Sequence, residues 1–153
     1  MPLLFRFKLV TTEGSDIAND EANTVGCVYN LLHSMFCSLS VSLNGKPVTL
    51  HEANYHYKAY HEKLLNCGSD ASGIHLVSSF WFLDSPTTDG ALKNNTGHTK
   101  RLHYLGNSNT IELFGRLHAV LFNSDKMLIK GVDMNIKLKR APEYFLFFST
   151  FRR

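Results

Sequence analysis

Long apolar runs are missing from this chain. The opening Met1 to Val10 is apolar but is interrupted by Arg6 and Lys8, which makes it too short and too alternating for a signal segment or a membrane span. Cysteine is scarce and odd in number. Cys27, Cys37 and Cys67 lie within apolar patterns without close pairing, a usage that fits free buried thiols in a reducing compartment better than a disulfide framework. Charge is thin as well, at 19% of residues, and the net charge of +3 is spread along the chain. The basic clusters at Lys137, Lys139 and Arg140 and at Arg152 and Arg153 are too short for the stripe by which proteins track phosphates. A soluble protein made inside the cell, with no specific nucleic-acid partner, is therefore expected. Without a secretory signal, the sequon Asn94-Asn95-Thr96 reads as an ordinary polar loop.

Signatures of chemistry are also absent. The eight histidines (His33, His51, His56, His61, His75, His98, His103 and His118) form no metalloprotease-type motif and no pair at i, i+4, and no Cys-x-x-Cys accompanies them. His51, His56 and His61 are spaced by five, which on a helix points them to different faces, so each histidine is read as structural or surface. There is no Gly-x-Ser-x-Gly elbow and no glycine-rich phosphate loop. Cys37 with His33 is the one local pair of thiol and base, and it shares a face only if the helix continues to Cys37, where it is expected to end. Asp16, Asp20 and Glu21 fall in a polar loop and read as solvated. Trp81, between Phe80 and Phe82, reads as core or subunit contact rather than as a stacking platform. No catalytic, cofactor-binding or metal-binding residue is assigned. A non-enzymatic protein without cofactor or small-molecule substrate is expected.

What the chain does have is apolar and aromatic material: 44% apolar residues, eleven Phe and six Tyr in 153 residues. That length suits one domain burying roughly 70% of its unfolded surface. Leu3 to Thr12 alternates as a strand, and Thr11 to Thr24 is a polar loop whose Thr24 could cap a helix. Val25, Val28, Leu32, Met35 and Phe36 keep helical spacing, then Leu39, Val41 and Leu43 switch to the period of a half-buried strand. Asn44-Gly45 predicts a type I′ turn, with Lys46 to Leu50 folding back as the partner strand. Tyr57, Tyr60, Leu64 and Leu65 share one helical face with Glu62 and Lys63 pointing outward, and Cys67-Gly68 is the stop.

Ile74 to Leu83 fits either helix or strand and is assigned helix, while Pro86 to Lys100 is assigned a long exposed loop. Thr110 to Phe122 reads as a strand with a bulge or a change of sheet at Gly115. Gly131 to Arg140 alternates with Val132, Met134, Ile136 and Leu138 inward and Asp133, Asn135, Lys137 and Lys139 outward. Tyr144 to Phe151 is the last strand. Six to eight strands with one or two short helices in the connections predict a mainly all-β fold, an antiparallel β-sandwich of jelly-roll type. Strands reaching almost to both ends predict a piece of a longer design, with open edges prone to aggregation.

Four stretches, taken in order, carry a resemblance. They are Val25-Gly26-Cys27-Val28-Tyr29-Asn30-Leu31-Leu32-His33-Ser34-Met35-Phe36 running on to Val41-Ser42-Leu43-Asn44-Gly45; Asn54-Tyr55-His56-Tyr57-Lys58-Ala59-Tyr60 running into Leu64-Leu65-Asn66-Cys67-Gly68; Gly115-Arg116-Leu117-His118; and Gly131 to Leu138. Together they resemble the N-terminal part of the hexon-like major capsid protein of Polinton (Maverick) and adintovirus elements, over most of Val25 to Leu146. His56 stands where the family pattern has proline, and Cys67 where it has tyrosine. The resemblance implies a double jelly-roll protein that trimerises into capsomers and tiles a shell with neighbouring capsid proteins in the virion. Only the first jelly roll is expected here, as a single domain, 1–153, truncated at both ends relative to the family. The alternative is a ligand-binding β-sandwich gripping carbohydrate or peptide through Trp81 and the Pro86 to Lys100 loop. A hydrolase built on the histidines would require several of them to converge.

Overall fold

A computed structural model describes residues 2–17, 25–49, 52–86, 94–125 and 127–149. Thr24, Leu50, His51 and the last residues from 150 onward lie outside them, as does the middle of the assigned Pro86 to Lys100 loop. The longest strand, β3 (Phe36–Leu43), organises one sheet. It pairs antiparallel along its length with β7 (Met134–Arg140), and it also pairs with two short strands, β4 (Lys46–Pro47) and β5 (Glu52–Ala53). Leu39 and Val41 are buried and face Leu138 and Ile136 across the register, while Lys137 and Lys139 are exposed. From Ile136 to Lys139 the expected alternation thus forms a sheet with one wet face, whereas Met134, expected inward, is exposed near the strand's start. Asn44 and Gly45 both take positive φ, at 48° and 78°, as a type I′ turn requires.

Two further strand pairs lie among the described residues. β1 (Pro2–Phe7) pairs with β6 (Ile111–Arg116), and β2 (Val25–Cys27) with β8 (Phe147–Ser149), both antiparallel. The sheets do not close into a barrel. Among the described residues five α-helices link them: α1 (Leu31–Ser34), α2 (Tyr55–Asn66), α3 (Ser69–Ile74), α4 (Thr96–Leu105) and α5 (Glu143–Leu146), with 3₁₀ turns at Val77–Ser79, Gly106–Ser108 and Val120–Asn123. Among the described residues helix makes up 35% and strand 29%, so the helices exceed the one or two short ones expected. None of the helices among the described residues is long and apolar enough to cross a membrane.

Several segments differ from expectation for identifiable reasons. Val25 to Cys27 is strand rather than helix because it pairs with Phe147 to Ser149; Gly26 lies so close to Phe148 that an added Cβ would stand 2.5 Å from the ring. Thr96 to Lys100 is helical rather than loop, since the Asn95 side chain accepts from the His98 N–H and caps α4. Ile74 to Leu83, expected as helix, holds only the end of α3 at Ile74 and one 3₁₀ turn, ended where Phe80 turns left-handed at φ 66°. Glu143 to Leu146 is a helical turn after Pro142 rather than strand.

Two cores result. Leu31, Leu32, Leu105, Leu113 and Leu146 pack in one, and Leu39, Val41, Tyr55, Leu117 and Ala119 in the other. The chain passes from the first to the second near Gly115, but without the expected bulge or change of sheet: β6 keeps its register with β1 through to Arg116, and Val120–Asn123 is a 3₁₀ turn rather than strand. A Cβ on Gly115 would lie 2.5 Å from Leu32 Cδ2, so a side chain on β6 at this point would require Leu32 of α1 to shift.

Candidate functional site

The buried polar groups gather where α1, α2, the Val77–Ser79 turn and the residues after β6 meet. α2 buries Tyr55, Ala59 and Lys63, and leaves Tyr57, Leu64 and Leu65 exposed. This corrects the expected face: Lys63, taken as outward, is only 6% exposed. Its Nζ donates to Asn30 Oδ1 at 2.8 Å and to Ser79 Oγ at 2.5 Å, and it stands 5.5 Å from the Trp81 ring centre, within cation–π range. Burial pushes the Lys63 amine down to about 7, with a small opposing effect from Cys67.

Asn30 reaches Lys63 because its backbone is left-handed at φ 59° just before α1. Its carbonyl takes the N–H groups of His33 and Ser34, which leaves the side chain for the lysine. A neutral amine beside a hydroxyl could draw off its proton. Ser79, however, is buried and its Oγ donates to the Leu76 carbonyl at 2.9 Å. Lys63 therefore fastens α2 to α1 and to the 3₁₀ turn.

Next to it lies a second chain of bonds. His33 Nδ1 is 2.9 Å from the Tyr55 hydroxyl, and that oxygen accepts the His118 backbone N–H at 3.3 Å. The His33 and His118 rings meet edge to face with centres 4.6 Å apart, and His118 Nδ1 is 2.7 Å from Glu62 Oε2. Burial, then Lys63 and His118, hold the His33 imidazole well below its usual range. Burial also lowers His118 in spite of its bond to Glu62, so at neutral pH that contact is a hydrogen bond to a neutral ring. The structure thus brings His33 and His118 together, a juxtaposition that no spacing in the sequence announces. It separates His33 from Cys37, whose Sγ faces the carbonyls of Lys139 and Arg140 on β7.

A second buried cation, Arg101 on α4, is 1% exposed. Its Nε donates to the Cys27 carbonyl at 2.8 Å, one terminal nitrogen donates to the Phe82 carbonyl, and the other meets Asp84 Oδ1 at 2.6 Å. Its guanidinium also stands 5.9 Å from the Tyr29 ring centre. Tyr29, Tyr60 and Trp81 are in mutual ring contact between the two cations. Trp81 is 3% exposed, a core residue rather than a platform for a ligand.

His98 is buried, whereas His61, His75 and His103 are exposed. The three cysteines are free; Cys27 is buried, and that burial pushes its thiol up to about 12. Among the described residues no three His, Cys, Asp or Glu side chains come together as a metal site. Lys63 and Arg101 spend these donors on nearby protein acceptors, while Asn30 Nδ2 and His33 Nε2 are buried without a hydrogen-bond partner. No protein-family model, no curated protein and no solved structure matches this chain.

Proposed function

We propose that the chain is a structural subunit that works by self-association, as the first jelly roll of a hexon-like capsid protein that trimerises in a viral shell. In this reading the antiparallel sheets are those of a jelly-roll sandwich, and neighbouring copies are the partners. The observation that carries it is the outer face of the β1–β6 ribbon. Leu4 and Phe114 are directly opposite each other in the register, 65% and 50% exposed. Beside them Arg6 and Glu112, also opposite each other, form an exposed ion pair of 2.7 Å. The inward side of β1 carries Leu3, Phe5 and Phe7 into the two cores.

An apolar pair next to one charge of each sign is a self-complementary surface. Among the described residues β1 has no second strand partner, and an open edge beside an apolar face favours pairing with another chain. The ordered stretches that resemble the capsid family support the same reading. Sedimentation velocity of the native chain and of Phe114→Lys tests it. Association by the native chain that the variant loses is expected; equal behaviour of the two would remove this face from the proposal.

A further inference from the structure

We infer that the loop between the Val120–Asn123 turn and β7 is a membrane-docking tip, whose Met127, Leu128 and Ile129 enter the outer layer of an anionic bilayer. Met127 is 95% exposed, Leu128 46% and Ile129 81%. Three consecutive large apolar residues in water are a liability that folded domains avoid unless the residues meet something.

The charges around the tip indicate what it meets. In the sequence Lys126 precedes the three apolar residues and Lys130 follows them, while the acids Asp125 and Asp133 lie outside the lysines. Along the chain the nearest charge on either side of the tip is therefore positive, and Lys130 is exposed. A lysine beside an apolar insert lays its methylenes along the insert and sends its ammonium to the lipid phosphates. Lys46 of β4 adds another exposed ammonium at the same end of the sheet, since it stands opposite Leu43, whose other neighbour is Met134 at the start of β7.

The base of the loop is fixed. Asn44 donates its N–H to the Asp133 carbonyl at 2.8 Å, and its side-chain oxygen accepts the Asp133 N–H at 2.9 Å. These two bonds tie the end of the loop to the turn between β3 and β4, and Gly131, at φ 91°, bends the chain between that anchor and the tip. With so much of Met127 and Ile129 exposed, the rest of the described fold leaves the tip projecting. A projecting tip needs a matching hollow on a protein partner, whereas a bilayer accepts it without one. The tip shares no residue with the β1–β6 face, so the inference stands or falls separately from the self-association reading.

The test is flotation of the full chain through a density gradient with vesicles of phosphatidylcholine alone and of phosphatidylcholine mixed equally with phosphatidylserine. Aggregated chain sinks, so only bilayer-bound protein rises. The native chain should rise with the mixed vesicles, less with the neutral ones, and less again as salt is added. Lys130→Gln should weaken binding about fivefold, the effect of one lysine near an anionic surface. Ile129→Asp should weaken it by at least about tenfold. Both side chains are exposed, so both variants should melt with the native chain. A native chain that does not rise with the mixed vesicles would overturn the inference, as would an Ile129→Asp variant that binds them equally well. Loss of self-association by Ile129→Asp in solution would also overturn it, by making the tip a contact between copies.

Discussion

Lys63 and Asn30, 33 residues apart, meet through a buried hydrogen bond of 2.8 Å that ties α2 to the start of α1. The bond makes the stability of the fold depend on the protonation of one amine. Folding lowers that amine from the ordinary 10.5 to about 7. Between these values the unfolded chain binds the proton and the folded chain does not. Stability contributed by the neutral amine is therefore fully present above about pH 10 and is lost as pH falls toward 7. In denaturant melts from pH 7 to 9 the native chain should gain about 1 kcal/mol per pH unit that Lys63→Met lacks. Parallel slopes for the two would mean that Lys63 is not a buried base.

On the acid side His33, held well below its usual range, works in the same sense at lower pH. The unfolded chain takes up a proton near pH 6.5, where buried His33 does not, so stability should decline as pH falls below that point. His33→Met should flatten the decline in the same melts, and an unchanged acid limb would place its origin in the other histidines.

Two glycines should rank differently when given a side chain. At Gly97 a Cβ would meet the Leu83 carbonyl oxygen at 2.1 Å, which is backbone and cannot rotate away; at Gly115 it meets the end of the Leu32 side chain at 2.5 Å. Gly115→Ala should cost about 1–3 kcal/mol, the usual range for overpacking, and Gly97→Ala more. Thermal melts of both variants check the order, and a milder Gly97→Ala would contradict the close approach of α4 to Leu83.

Arg101 should resist even its most conservative replacement. One ammonium cannot reach the Cys27 and Phe82 carbonyls and Asp84 together as the guanidinium does. Arg101→Lys should lose about 1–3 kcal/mol for each carbonyl left without a donor, measured by urea unfolding. A variant as stable as the native chain would show that the three bonds contribute little.

Much of the sheet core was legible in the sequence. The alternation of Leu39 and Val41 against Ile136 and Leu138 sets the β3–β7 face, and Asn44-Gly45 sets the turn from β3 to β4, whereas the bulge or change of sheet expected at Gly115 is absent. The face of α2 was not legible. Hydropathy favoured Tyr57, Tyr60, Leu64 and Leu65 as the buried stripe, yet Leu65 is 81% exposed. What turns the helix is the satisfaction of Tyr55 and Lys63 by partners 22, 33 and 16 residues distant, and no local period carries that information. The strand at Val25 to Cys27 was missed for a similar reason, because its partner lies at the other end of the chain. The meeting of His33 with His118 likewise depends on Tyr55 and Glu62 from α2, which only the folded chain brings between them.

The central claim is self-association, and the mass of the purified chain in solution tests it most directly. Light scattering behind size exclusion, across a range of concentrations, with negative-stain microscopy of any large peak, should give trimers or larger particles. A sharply melting monomer that persists at high concentration would contradict the account.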